Sequence, residues 1–240
     1  PVVCVLDGFA PYGLQAELTF RLEQLGSLFA DLAGRGVTHI CLCGAIRRPP
    51  VDPSALDAAT LPLVPRMMAA MGQGDDAALR VGIALFEEHG VQVVAAQEAA
   101  PSLLVPEGQL TQAEPSAQMR DDAEKGFAIL DALSPFDTGQ ACVVGGGQLL
   151  GIETLGGTDH MLATLPDLPQ RENAVVVNAP KRGQETRVDW PGVGPETVEM
   201  ALRAGAAGLA LVEGGALMID RDEMLARADA AGLAIWARPA

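Results

Sequence analysis

Between Asn178 and Pro191 the chain sets Lys181, Arg182 and Arg187 beside Glu185 and Asp189, with Gln184 and Thr186 among them. Cations at this density can grip phosphate oxygens. A carboxylate held among them can carry a proton or a metal ion. The same charges also suit a solvated surface loop of ion pairs, a common and weakly stabilising arrangement. The stretch follows an apolar run, Ala174 to Val177, that reads as a buried strand, and prolines restrict its backbone at both ends. A loop at the carboxyl end of a strand is where α/β proteins hold ligands.

Other residues with chemical potential are scattered. Gly44 to Arg48 follows an apolar run; the glycine lets a ligand approach the backbone, and Arg47 and Arg48 can reach an anion. A turn with exposed cations accounts for the same residues. In Gly74-Asp75-Asp76 either aspartate suits the cap of a helix running to about Glu88, which leaves the other for a metal or a hydroxyl group. Gly156-Gly157-Thr158-Asp159 marks a short helix start, with Thr158 or Asp159 as cap and amide donors turned toward an anion. Gly145-Gly146-Gly147 has the wrong spacing for a dinucleotide loop and reads as a hairpin turn. The three histidines have no partner at metal-binding helical spacing, and no nucleophile elbow is present.

The elements that must position these residues alternate. Val2 to Leu6, Val37 to Cys43 and Val91 to Ala95 read as strands, with helices over Leu22–Leu32 and Asp75–Glu88. His89-Gly90 suits a helix C-terminus. Pro101 to Pro115, rich in proline and aperiodic, reads as a linker. Beyond it come a helix with Met119, Ala123, Phe127, Leu130 and Leu133 on one side, the two short runs around the triple glycine, a helix from Pro195, and strands at Gly208–Val212, Leu217–Ile219 and Leu233–Trp236. Asp220 and Glu223 have the spacing of a capping box for the last helix. The expected fold is therefore α/β in two domains: residues 1–108 with a parallel sheet, and residues 109–240 as a distinct α/β domain.

Composition narrows the partners. Of 240 residues, 49% are hydrophobic and only 4% aromatic, so the core is built from Ala, Val, Leu and Ile. A net charge of −15 argues against a nucleic-acid surface and against broad attachment to anionic lipid. No apolar run is long enough to span a bilayer. Cys4, Cys41, Cys43 and Cys142 lie in apolar runs without a Cys-x-x-Cys pair, which predicts small core residues in a reducing compartment.

Four stretches, in order, resemble the UDP-2,3-diacylglucosamine pyrophosphatases of the lipid A pathway, of the type without a metallophosphoesterase fold. They are Gly74-Asp75-Asp76 with Leu79-Arg80; Gly157-Thr158-Asp159 with Met161-Leu162; Ala179-Pro180-Lys181 with Gln184 to Asp189; and Ala204-Gly205 through Asp220. The resemblance covers nearly the whole chain, and the third stretch is the most specific. It implies a Rossmann-like first domain and a distinct α/β second domain with the substrate between them. It also implies hydrolysis of the pyrophosphate of UDP-2,3-diacylglucosamine with water and a divalent cation, usually Mg²⁺, giving UMP and 2,3-diacylglucosamine 1-phosphate. The essential aspartate of the family's Thr-Arg-x-Asp motif falls on Asp189. Around it, Asp159, Asp75 and Asp76 are expected as helping metal ligands. Thr158, Lys181, Gln184, Thr186, Arg187, Gly44 and Arg47 are expected against the substrate.

A cytoplasmic enzyme that meets the membrane transiently, through its lipid substrate, follows from the resemblance, and an apolar sheet edge in the second domain is compatible with a homodimer. The family's opening strand and glycine-rich loop would precede Pro1. Its lysine before Ala-Pro-Lys is Asn178 here, its glutamate before Gly-Thr-Asp is Gly156, and its Gly-Lys pair in the first domain is Gly26-Ser27. The Asn178 exchange removes one cation, so the expected phosphate grip is either weaker or supplied by Arg182. A non-catalytic protein that binds a nucleotide sugar or lipid on the same fold is the competing expectation. A nicotinamide-dependent oxidoreductase would need a Gly-x-Gly-x-x-Gly turn, which the chain lacks.

Overall fold

Five consecutive residues buried on both faces, Ala174 to Asn178, form the middle of a sheet rather than its edge. The computed structural model describes residues 1–240 except 10, 12, 45–50, 73, 74, 137 and 184 and the side chains of 75 and 76. The chain clusters into two units, Pro1–Ala99 and Ala100–Ala240.

In the first unit the strands are short and paired in parallel. β1 (Cys4–Leu6) lies beside β2 (Leu18–Phe20). After α1 (Leu25–Gly34) comes β3 (His39–Cys41); after α2 (Val64–Met71) and α3 (Asp75–Glu88) comes β4 (Gln92–Val94), which pairs with β3. The short helix α4 (Ala96–Ala99) closes the unit. Leu25, Leu28, Phe29 and Leu32 of α1 are buried, as their helical spacing predicts. Phe29 meets Phe86 edge-on at 5.2 Å and stacks on His89 at 4.1 Å. His89 caps α3 as expected, its Nδ1 lying 2.7 Å from the Leu85 carbonyl oxygen.

Polar contacts hold the segment after residue 50. Glu23 is 2% exposed; it receives the Arg21 guanidinium and the Asp52 amide at 2.6 Å. The Arg21 hydrogen bond and then the Asp52 amide hold its carboxyl down at about 2. Asp57 accepts from the Ser27 hydroxyl and the Thr60 amide, and the Thr60 hydroxyl accepts from the Gly26 amide at 2.9 Å. A Cβ on Gly26 would stand 2.4 Å from the Ala59 carbonyl carbon, so only glycine fits there. Gly26-Ser27 thus has a structural role of its own.

The second unit contains a six-stranded mixed sheet in the order β5-β12-β10-β8-β6-β7. Its elements are β5 (Gly108–Gln109), α5 (Ala117–Leu133), β6 (Ala141–Gly145), β7 (Gln148–Ile152), α6 (Gly157–Ala163), β8 (Ala174–Asn178), β9 (Gly192–Val193), α7 (Pro195–Arg203), β10 (Ala206–Val212), β11 (Leu217–Met218), α8 (Arg221–Ala231) and β12 (Ala234–Arg238). β8, β10 and β12 run parallel; β6 opposes β8, and β5 opposes β12. β9 and β11 form a separate parallel pair.

Alternation along β8 sends Val175 and Val177 to a cluster with Met119, Ala123, Phe127 and Leu130 of α5. Ala174 and Val176 face the opposite cluster, which holds Met161 and Leu162 of α6, Val198 and Ala201 of α7 and Met224 of α8. The sheet is therefore covered on both faces. α5 lies close against it at Gly126, where a Cβ would meet Val177 Cγ2 at 2.6 Å.

Two sequence expectations change. The segment from Pro101 to Pro115 belongs to the second unit, because Leu104 bridges to Leu217 and β5 pairs with β12. The units divide ahead of residue 108 for that reason. Asp220 does not cap α8 through its side chain; its backbone is left-handed, at φ 46° and ψ 51°, instead of extended as a side-chain N-cap requires.

Candidate active site

The carboxyl ends of β7, β8, β10 and β12 and the start of β6 share one edge of the sheet. Asn178 ends β8 there, opposite Ala141 in register. By alternation it faces the side covered by α6 and α7. Asn178 is 8% exposed, and its Oδ1 has no hydrogen-bond partner among the described residues. Trp190 Nε1, at the far end of the loop that follows, is also buried and unpartnered. Buried polar atoms are ordinarily satisfied, and each that is not costs about 1–3 kcal/mol. Two of them bracketing one charged loop fit an edge shaped for a polar ligand.

Glu153, the first residue after β7, organises the α6 side. One carboxylate oxygen accepts the Gln140 and Ala141 amides at 2.8 and 3.0 Å; the other accepts the Thr158 hydroxyl at 2.9 Å. Thr158 therefore lies inside the first turn of α6 and is fixed by Glu153. Neither Thr158 nor Asp159 caps the helix, which begins after Gly156 without a side-chain cap bond. Asp159 is exposed on α6. Gly156 lies against the His160 ring, where a Cβ would come within 2.7 Å of Cδ2, so a glutamate at this position would displace the histidine.

The loop from Ala179 to Pro191 is pinned at intervals. The Ala179 amide donates to the Gln140 carbonyl at 3.0 Å, and the Arg182 amide to the Ser134 hydroxyl at 2.7 Å. The Arg182 guanidinium pairs with Asp131. The amides of Val188 and Asp189 both donate to the Glu185 carbonyl, at 3.3 and 3.1 Å, so Glu185 to Asp189 form one turn. Within it, Arg187 donates from Nε and Nη2 to the two Glu185 carboxylate oxygens at 2.9 and 3.0 Å. Asp189 is half-buried and Thr186 exposed. The loop ends where the Leu217 amide donates to the Pro191 carbonyl at 2.7 Å, leading into the β9–β11 pair.

On the α5 side the loop roofs a cavity of about 130 Å³, lined by Lys181, Arg182 and Arg238 with Asp131, Gln140 and Phe127 among its other walls. The Arg238 guanidinium carbon stands 4.0 Å over the Phe127 ring. Of the cations that line this recess, Arg182 is paired with Asp131 and Arg238 with Glu124.

The structure thus gathers Lys181, Thr186, Arg187 and Asp189 on one loop at the edge where α6 presents Thr158 and Asp159. Gly44 is an exposed residue just after β3 in the first unit. Arg47 and Gln184 lie outside the described residues. Asp75 and Asp76 open α3, but their side chains lie outside the described set. Among the described residues no three His, Cys, Asp or Glu side chains gather into a metal-binding group. Mg²⁺ does not require one; it typically takes one or two carboxylates and completes its shell with water and substrate phosphate oxygens. Asp189, half-buried in a cationic loop, has donor chemistry of that kind.

The triple glycine is a hairpin turn, as its spacing implies: β6 and β7 are antiparallel around it, with Gly146 and Gly147 at φ 57° and 75°. Its amides are not open to a phosphate, because Asp122 of α5, only 1% exposed, accepts both at 3.0 and 2.7 Å. Sequence reasoning assigned no role to Glu153 or Asp122, and marked Asn178 only as the exchange of a family lysine. The one available signal was a carboxylate directly after a strand and five residues before Thr158.

The family model of the LpxI N-terminal domain matches residues 1–103, and that of the LpxI C-terminal domain matches residues 106–236. The chain is also similar to the UDP-2,3-diacylglucosamine pyrophosphatase LpxI of Caulobacter vibrioides (strain ATCC 19089 / CIP 103742 / CB 15). The two are 34% identical over 219 residues, which cover 88% of this chain and 78% of the relative. With both of its units matched in order, the chain belongs to the LpxI family.

Proposed function

We propose that this chain hydrolyses the pyrophosphate bond of UDP-2,3-diacylglucosamine to UMP and 2,3-diacylglucosamine 1-phosphate, a step of lipid A biosynthesis. Membership of the LpxI family along both units carries the reading. The chemistry of the 179–191 loop supports it. Hydrolysis needs a water oxygen delivered in line with a phosphorus, and positive charge against the oxygens that gain charge as the bridging bond breaks. Lys181 supplies such charge from the loop. In the reading we favour, Arg187 is held in place by Glu185, so that it meets the phosphate with its orientation set in advance.

Asp189 orients the attacking water or ligates Mg²⁺, and Asp159 lies at the same sheet edge to assist. Mg²⁺, when bound, neutralises phosphate charge as a Lewis acid. Thr158, fixed by Glu153, and Asn178, with its unpartnered oxygen, contact polar groups of the substrate. The enzyme is of the type without a metallophosphoesterase fold, with its site at the carboxyl ends of parallel strands. It works in the cytoplasm, as a monomer or homodimer, and meets the membrane through the acyl chains of its substrate. No helix among the described residues is long and apolar enough to cross a bilayer.

The test is UMP release from UDP-2,3-diacylglucosamine by the wild-type chain and by Asp189→Asn, with Mg²⁺ and with chelator. We expect release only with metal, and a fall of about 100-fold or more in the variant. Tight substrate binding without UMP release would favour a non-catalytic binder. Release that survives Asp189→Asn would keep the reaction and move its centre elsewhere.

A further inference from the structure

The four cysteines fall into three settings, buried, half-buried and exposed. Cys142 is fully buried, its Sγ lying 3.7 Å from the Gly126 carbonyl, and burial pushes its thiol up to about 12. It is an inert core residue, as expected. Cys4 is half-buried in β1. Cys41 and Cys43, expected in the core, are instead half-buried and exposed, and their sulfurs lie 3.4 Å apart.

The local fold explains this approach. β3 ends at Cys41, so Leu42 and Cys43 are outside the ladder with β4. In a strand, residues two apart share a face with Cα atoms about 6.6 Å apart, near the upper end of the span a disulfide bridges. Release from the strand after Cys41 lets the backbone shorten that span. Gly44 follows at φ 96°, a backbone conformation that favours glycine. Closing the bond requires the sulfurs to move from 3.4 Å to about 2.05 Å, which side-chain rotation with a small adjustment at Leu42 supplies.

We propose that Cys41 and Cys43 are a site of reversible thiol oxidation, forming an intrachain disulfide by exchange with a low-molecular-weight disulfide such as oxidised glutathione. The Cys43 thiolate attacks one sulfur of the small disulfide and expels a first thiolate; the Cys41 thiolate then attacks the Cys43 sulfur and expels the second. Two protein thiols become one disulfide and one small disulfide becomes two thiols, the two expelled thiolates taking up the two protons that the cysteines lose. The order follows exposure, since an incoming disulfide reaches Cys43 before Cys41. Burial first, and then the hydrogen bond with Cys43, raise the Cys41 thiol to about 11. Cys41 therefore keeps its proton while Cys43 attacks, and the part of that shift due to Cys43 disappears once Cys43 is in the mixed disulfide.

A soft-metal site is the other use of paired thiols. Among the described residues no third ligand completes one, and His39, two residues before Cys41, has its Nδ1 engaged with the Thr38 hydroxyl at 2.9 Å. The inference stands apart from the proposed hydrolysis and does not depend on it.

The test equilibrates the whole chain in glutathione buffers from reducing to oxidising, quenches with acid, alkylates free thiols and weighs the intact protein and the tryptic peptide 36–47, which carries both cysteines. The wild type is expected to lose two hydrogens from that peptide in one two-electron transition, about 30 mV per tenfold change. Cys41→Ser is expected to stop at one glutathionyl group on Cys43, and Cys43→Ser to lose no hydrogens. A wild type that gains glutathionyl groups without ever losing the two hydrogens overturns the proposal. So does a disulfide that persists in Cys43→Ser, which would place the bond on other cysteines.

Discussion

At the scale of single residues, Asn178 is the clearest conflict between folding and a site. A buried amide oxygen without a partner weakens a fold by about 1–3 kcal/mol, and Asn178 carries one at the end of the central strand. Leucine has the same branched outline and no polar atoms. Asn178→Leu is therefore expected to raise Tm by about 2–4 °C for each kcal/mol recovered in a chain of this size. If the oxygen meets substrate in the transition state, the same change lowers kcat/KM about tenfold. Thermal denaturation and steady-state kinetics on one preparation read both. A variant that is less stable and fully active would show that Asn178 serves packing alone. Thr158 differs: its hydroxyl already donates to Glu153, so it stabilises the edge whether or not a ligand is bound.

At the scale of elements, Asp122 ties a helix to a hairpin. Its carboxylate, within α5, accepts the Gly146 and Gly147 amides and the Gln118 side chain, and so fixes the β6–β7 turn against the helix that covers the sheet. Asp122→Ala removes the acceptor from two glycine amides and opens a small cavity. We expect a loss of about 2–3 kcal/mol, read as a lower urea midpoint, since hydrogen bonds to a charged group are the stronger kind. An unchanged midpoint would mean that water replaces the carboxylate.

Elements of this kind separate what the sequence reveals from what it hides. The hairpin was legible because three glycines between apolar runs have one common use. The α5 face was legible from its period. Asp122 was not, because a carboxylate in a helix looks the same whether it faces water or the ends of two amides. β5 escaped because two residues carry no period, and its pairing with β12 is fixed by a partner over a hundred residues away. The apparent cap at Asp220 matched a motif by spacing, but spacing does not fix φ, and there the backbone is left-handed. Of the site, the charged loop from Asn178 onward could be read from composition, but what the Glu153 and Asn178 side chains do there could not. Their roles come from register and alternation across three strands.

At the scale of the molecule the two units are held by different means. The second has a continuous sheet with apolar clusters on both faces. The first has two short parallel pairs, and a polar network around Glu23 fastens residues 52–60 to the start of α1. The Glu23 carboxyl titrates at about 2 when folded, against an ordinary 4.5. A depressed carboxyl contributes stability that is complete above its unfolded value and lost as pH falls through the folded one. The window is therefore pH 4.5 down to about 2. Arg21 is 42% exposed, so its attraction is partly screened, and a contribution on the order of 1–2 kcal/mol is expected. Glu23→Gln should lose that amount at pH 7 and converge on the wild type as pH approaches 2. Hydrogen exchange of the amides in residues 52–60, corrected to the intrinsic rate at each pH, measures the difference locally. Curves that stay parallel from pH 7 to 2 would remove Glu23 as the source of acid sensitivity in the first unit. Convergence confined to that unit would show that acid loosens the first unit through one buried carboxylate, while the sheet carrying the candidate site is unaffected by that group.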